Sequence, residues 1–217
     1  MIKASHNKWY ELFFHRYINV ILKRHFHEIN FNPFNIEKHK STLILANHIS
    51  WWDGFFMLNV NLRYIHKKIH VMMLEEELSR RKFLSKIGAY SIKKKTRGVI
   101  ESIKYTKELL EDPDNLVVVY PQGEITSLYQ HDISFQKGIF SMFKNNDFTN
   151  NAVHYQLIMA ATMIDFASNP KPTVMINLKE YDMSKSLNAE EIEKKYQAFY
   201  RNAILGQIHK IKALNPH

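Results

Sequence analysis

The sequence predicts an α/β fold: a single domain with a mixed, mostly parallel central sheet flanked by helices and preceded by an N-terminal amphipathic helix. Three observations carry this. Short β-branched runs alternate along the chain with longer stretches of helical periodicity. The 217 residues are 45% hydrophobic and 24% charged, enough to bury one sizeable core. No internal repeat, low-complexity tract or linker divides the chain. The expected division is an amphipathic helix within residues 1–30 and the sheet domain over residues 31–217.

From Ser5 to about His27, at 100° per residue, Trp9, Tyr10, Phe13, Phe14, Tyr17, Ile18, Val20 and Ile21 sweep half of a helical wheel. Lys8, Glu11, His15, Arg16, Asn19 and Lys23 hold most of the rest. A broad aromatic face bordered by cations suits a membrane interface, and a helix packed on the core is the alternative. Ser41–Ala46 is an apolar run of strand length, Ser50–Tyr64 reads as helix, and Ile69–Leu74 reads as a second strand. Over residues 97–111, Val99, Ile103, Thr106 and Leu110 recur at helical spacing, and Asp112-Pro113-Asp114-Asn115 ends the helix. Leu116–Tyr120 is a β-branched central strand. Tyr155–Phe166 and Thr173–Leu178 are strands parted by a turn rich in proline, and from Ala189 to Lys212 a helix presents Ile192, Tyr196, Phe199 and Ala203 on one face.

Composition narrows the function. There is no cysteine, so disulfides, thiol nucleophiles and Cys-ligated metals are excluded. The net charge of +9 favours an anionic partner. No window approaches the roughly 18–20 apolar residues of a membrane span. Lys3, Lys8, Glu11 and Arg16 break up any secretory signal, so a cytoplasmic, peripheral location is expected. Arg80-Arg81-Lys82 and Lys93-Lys94-Lys95 with Arg97 suit CoA phosphates, an acidic carrier protein or anionic headgroups, and equally a solvated surface. No nucleic-acid motif is present, and no nucleic-acid partner is expected. His66 and His70 are the best-spaced histidine pair, but lack an acidic partner, so no metal is expected.

Two segments stand out, each at the end of an apolar strand. The first, Ala46-Asn-His-Ile-Ser-Trp-Trp-Asp-Gly54, places His48 and Asp53 five positions apart, with Asn47 just before the histidine and Ser50 two after. With this chain's composition the full pattern is expected about 0.002 times by chance. A histidine oriented by a carboxylate is a general base suited to activating a hydroxyl. The same residues also suit a helix start, with Ser50 as N-cap and Asp53 as the acidic third residue. The second segment is Val119-Tyr-Pro-Gln-Gly-Glu-Ile-Thr-Ser127.

Together these blocks resemble the PlsC-like glycerolipid acyltransferase superfamily. Its first block, Asn-His-x-Ser-x-x-Asp, is matched by Asn47, His48, Ser50 and Asp53. Its third, Phe-Pro-Glu-Gly-Thr-Arg-Ser, is matched in part by Tyr120, Pro121, Gln122, Gly123 and Ser127. Gly88–Lys94 is similar to the second block, with Lys94 where arginine usually stands. Glu77-Leu78 is similar to the Lys-Glu-Leu segment, and Phe135–Phe140 to the helix start after block three. The likeness runs in order from about Thr42 to Phe166; the proline-containing fourth block is not visible around residues 158–164.

The resemblance implies an O-acyltransferase without a cofactor, moving a fatty acyl group from acyl-CoA or an acyl carrier protein to a hydroxyl of a lipid acceptor. His48 would be the base and Asp53 its orienter, with Asn47, Ser50, Lys94, Pro121, Gln122, Gly123, Glu124, Ser127 and Lys137 shaping the substrate region. The family's phosphate-binding positions read Gln122, Ile125 and Lys94, and Glu124 disfavours an anion beside Gly123. These departures point to an acceptor with no phosphate at that place. Trp51 and Trp52 are candidates for an acyl groove or for the core. The alternatives are a thioesterase or lipid hydrolase with water as acceptor, and a non-enzymatic basic protein at the membrane surface.

Overall fold

In a computed structural model, which describes residues 1–93, 96–143, 155–183 and 188–214, strands and helices alternate. In chain order they are α1 (Lys8–His25), β1 (Ile29–Phe31), β2 (Ser41–Ala46), α2 (Asp53–Val60), β3 (Lys68–Leu74), α3 (Glu75–Arg80), β4 (Ala89–Ile92), α4 (Thr96–Leu110), β5 (Asn115–Val119), α5 (Lys137–Phe140), β6 (Tyr155–Asp165), β7 (Thr173–Glu180) and α6 (Ala189–Leu214). The strands form one sheet in the order β1-β7-β6-β2-β5-β3-β4. Among the described residues every pairing is parallel except β6–β7. This is the mixed, mostly parallel sheet that the sequence predicts.

Strand β2 is buried at all six positions, as its unbroken apolar run requires of a strand covered on both faces. Alternation divides its side chains. Leu43 and Leu45, with Val117 and Val119, meet Ile103 of α4, Ile139 of α5 and Ile192 and Tyr196 of α6. Ile44 and Ala46, with Leu116 and Val118, meet α1 and α2 on the opposite face. The chain leaving β2 therefore crosses one face, and the chain leaving β5 enters the other. Adjacent strands whose connections part in this way leave a crevice at their carboxyl ends, the usual ligand position in open α/β sheets.

Helix α1 begins where Asn7 Oδ1 accepts hydrogen bonds from Trp9 N and Tyr10 N. Its core stripe is narrower than the aromatic sweep of the sequence: Phe14, Ile18 and Leu22 are buried, while Trp9, Phe13 and Val20 are 80%, 62% and 68% exposed. The helix thus packs on the sheet along one edge and leaves an aromatic face in solvent. Strand β1 pairs with β7 and spans the division expected between residues 30 and 31.

The helix expected over residues 50–64 starts later and changes pitch. α2 runs to Val60, Asn61–Ile65 forms a π-turn, and His66 ends it in the left-handed region at φ 59°. The Asn61 side chain closes this turn, accepting from Lys67 N at 3.0 Å and donating to Lys67 O at 2.7 Å. Besides β1, periodicity did not mark α3, a 3-10 segment at Lys82–Ile87, or edge strand β4. Gly88 joins the last two at φ 102°, where a side chain would run into Ile69 O.

Candidate active site

The site begins where β2 stops. Asn47, fully buried, carries the β2–β6 ladder one step further with its side chain: Nδ2 donates to Thr162 O at 2.9 Å, and Oδ1 accepts from Thr162 N at 2.7 Å. The next residue, His48, is thereby set at the carboxyl edge of the sheet with its side chain 26% exposed. Its Nδ1 lies 2.7 Å from Asp53 Oδ2, and Asp53 is 1% exposed at the first turn of α2. The same carboxylate oxygen accepts Ile49 N at 2.7 Å and Ser50 N at 2.9 Å. Charge-assisted bonds from three donors fix the carboxylate, which in turn fixes the proton on Nδ1 and leaves Nε2 as the ring's basic nitrogen.

The end of β5 supplies the other wall. The Tyr120 ring stacks on His48 at 4.6 Å between centroids and 27° between planes. Gln122, 4% exposed, accepts His48 N on Oε1 at 2.6 Å and donates from Nε2 to Thr126 Oγ1 at 2.5 Å. Thr126 N then donates to His48 O at 2.9 Å. Both main-chain polar groups of His48 are thus held by the 120–127 segment. That segment is pinned from α5: Gln136 N donates to Pro121 O at 2.8 Å, and Gln136 Nε2 to Gln122 O at 3.0 Å. Gly123 turns the chain at φ 72°, where a Cβ would come within 2.8 Å of Gln136 Cγ.

Of the residues expected in the site, His48, Asp53, Ser50, Pro121 and Gln122 form one hydrogen-bonded unit, and Asn47 anchors the start of it to β6. Asn47 and Gln122 spend their amides on the main chain rather than on open space. The N-cap reading is corrected: Trp52 holds that position, and Ser50 Oγ accepts Trp52 N at 3.1 Å within the preceding turn. Asp53 lies inside the helix instead of three residues after a cap, because the turn at Trp51 and Trp52 delays the helix start. Glu124 and Ser127 are exposed, and Ser127 Oγ accepts Tyr129 N at 3.2 Å. Lys137 is exposed at the start of α5. Lys94, with its neighbour Lys95, lies outside the described residues.

The tryptophans divide. Trp52 joins the core beside Phe26, whereas Trp51 is 55% exposed. The spaced histidines do not face each other: His66 ends the π-turn, and His70 is buried in β3 with Nε2 on Asn115 Oδ1 at 3.1 Å. Sequence reasoning missed Thr126, Gln136 and Thr162 as supports. The last two reach the site only through the fold; Thr126 stood inside block three without a distinguishing signal. Tyr120 was visible as a motif position, but its stacking on His48 was not.

No curated protein sequence matches the chain significantly. The family model described as Acyltransferase matches residues 28–155, more than half of the chain, from just before β1 to the first residue of β6. This stretch holds both the His48–Asp53 turn and the segment that clamps it, and the chain belongs to this acyltransferase family, the PlsC-like glycerolipid acyltransferase superfamily.

Proposed function

We propose that the protein transfers a fatty acyl group from acyl-CoA or an acyl carrier protein thioester to a hydroxyl of a lipid acceptor, with His48 as general base and Asp53 as its orienter. The observation that carries this reading is the 2.7 Å pair between His48 Nδ1 and a buried carboxylate, with the histidine ring itself reachable from solvent. Nε2 takes the acceptor's proton as its oxygen attacks the thioester carbonyl. The tetrahedral intermediate then expels the thiolate, which takes the proton back from Nε2, leaving an ester and a free thiol. Neither a serine nucleophile nor a metal is needed for this sequence of steps.

The acceptor in this reading carries no phosphate beside the 120–127 segment. Residues 120–127 contain no Lys or Arg, Gln122 is consumed internally, and the two side chains directly after Gly123, Glu124 and Ile125, are exposed. A carboxylate next to an apolar group repels a phosphate monoester and tolerates a neutral glycolipid, aminolipid or aryl lipid hydroxyl. The outward face of α1, with Trp9, Phe13, Tyr17 and Val20 among Lys8, Arg16, Lys23 and Arg24, would hold the enzyme on an anionic membrane surface. Among the described residues no helix is long and apolar enough to cross a membrane.

The test is incubation of the purified protein with palmitoyl-CoA, or palmitoyl carrier protein, and lipid acceptors with and without a phosphate. Thiol release and acylated lipid are followed together, beside His48→Ala. A His48-dependent acylated neutral lipid is the expected product. Thiol without lipid product would make the protein a thioesterase, and faster acylation of lysophosphatidic acid would overturn the acceptor assignment.

A further inference from the structure

Asp53 is unevenly bonded. One oxygen, Oδ2, accepts three donors, while Oδ1 is buried and, among the described residues, has no hydrogen-bond partner. Leaving a buried acceptor without a partner is unfavourable, so an unused carboxylate oxygen beside a base asks for a donor. Besides the imidazole of His48, Asp53 acts on two phenols. Its negative charge adds to burial in pushing both Tyr120 and Tyr196 well above the ordinary phenol range, so each stays a protonated donor within reach of its field. Tyr196 on α6 is already committed, donating to Ala160 O at 2.8 Å. Tyr200, which adds to the same shift of Tyr196, lies 3.4 Å from Gln130 O. The hydroxyl of Tyr120 is buried and unpartnered.

Two complementary orphans therefore flank the same base: a donor with no acceptor and an acceptor with no donor. They belong to the two blocks that Gln122 already clamps together. Catalytic hydrogen bonds that are long in the free enzyme commonly tighten when charge develops. We propose that Tyr120 is a positioning residue whose hydroxyl donates to Asp53 Oδ1 as His48 takes up the acceptor's proton, while its ring backs the imidazole. The hydroxyl then does what the donors on Oδ2 do for the other oxygen: it holds the carboxylate in plane with Nδ1, and a bond made as the ring gains its proton favours the imidazolium. The family block has phenylalanine at this position, so the hydroxyl is a feature of this chain's own sequence. The inference rests on His48 as the base, and its test separates the two.

The test is Tyr120→Phe, which keeps the stacked ring and removes the hydroxyl, with Tyr120→Leu as the variant that loses both. In His-labelled protein, assigned with His48→Gln, the chemical-shift titration of His48 in Tyr120→Phe is expected to move down by about half to one pH unit. The acid limb of kcat/KM should follow it by the same amount, with KM for the acyl donor within about twofold of wild type. Tyr120→Leu should show the same displacement together with a larger fall in kcat. A His48 titration unchanged in Tyr120→Phe would overturn the proposal, whatever the activity. A displaced titration in an enzyme whose His48→Ala variant still turns over would leave the Tyr120–Asp53 link standing and remove His48 as the base.

Discussion

Two histidines, one just past the end of β2 and one within β3, have been given opposite environments. His48, at the carboxyl end of β2, is 26% exposed and 2.7 Å from a buried carboxylate. His70, in β3, is 2% exposed and has no carboxylate on either ring nitrogen; these face Asn115 Oδ1 at 3.1 Å and His6 Nε2 at 3.5 Å. Burial is the largest influence on His70 and, with the nearby His6 second, takes it down to about 4; the Asn115 bond and the more distant Asp112 only partly oppose this. Glu11 pairs with His6 at 2.5 Å and not with His70, and even His6 is lowered by burial. A histidine becomes a working base through a carboxylate on one nitrogen and an open path to the other, not through burial alone. Twelve histidines in the chain make this distinction worth drawing.

The largest expected effect breaks the comparison at its functional end. His48→Ala should lower acyl transfer by about three orders of magnitude or more while circular dichroism and melting stay near wild type. His70→Gln, which keeps a neutral hydrogen-bonding side chain, should leave turnover within about threefold. Equal losses in the two variants would mean that the site is elsewhere. Asp53→Asn comes next. An amide cannot accept three donors on one oxygen as a carboxylate does and releases the histidine tautomer, so kcat should fall by about two to three orders of magnitude with KM little changed.

The third effect lies in stability. An unfolded histidine titrates near 6.5, and His70 in the fold titrates at about 4, so between these values the unfolded chain binds the extra proton. Stability is therefore full above pH 6.5, falls as pH drops through that window, and levels off below 4. The loss amounts to about 3 kcal/mol, with His6 adding in the same direction. Urea denaturation at pH 7.5 and pH 5 should show this fall in wild type and a visibly smaller one in His70→Gln.

The turn that pairs His48 with Asp53 was legible in the sequence and the surroundings of His70 were not, for a physical reason. His48, Ser50 and Asp53 interact within one turn, so their spacing records their geometry, and the apolar run Ser41–Ala46 that leads into them is buried throughout. His70 owes its character to residues brought together from the N-terminal segment, β3 and β5, which no local pattern records. The same applies to Thr162, whose main chain holds Asn47 across 115 positions. Long periodic elements such as α4 and α6 were readable from spacing. β1 and β4, of three and four residues, were too short to show a period and exist through their pairing with β7 and β3.

The smallest expected effect comes from giving His70 what His48 has. In Asn115→Asp a carboxylate would face His70 Nε2 and pull a proton onto the ring, so His70 would no longer resist charging as pH falls. The exchange also has a cost. Asn115 Nδ2 donates to Leu109 O at 2.8 Å, and aspartate would lose that donor and set its own oxygen against the carbonyl. The two terms act at different pH. Near pH 7.5 the lost bond dominates, and the variant should be less stable than wild type by about 1–2 kcal/mol. Near pH 5 wild type has lost most of the His70 contribution, whereas the variant gains from a charged pair, so the two stability curves should converge. Curves that stay parallel across this range would mean that His70 is insensitive to an adjacent carboxylate, and the contrast with His48 would then have to rest on exposure alone.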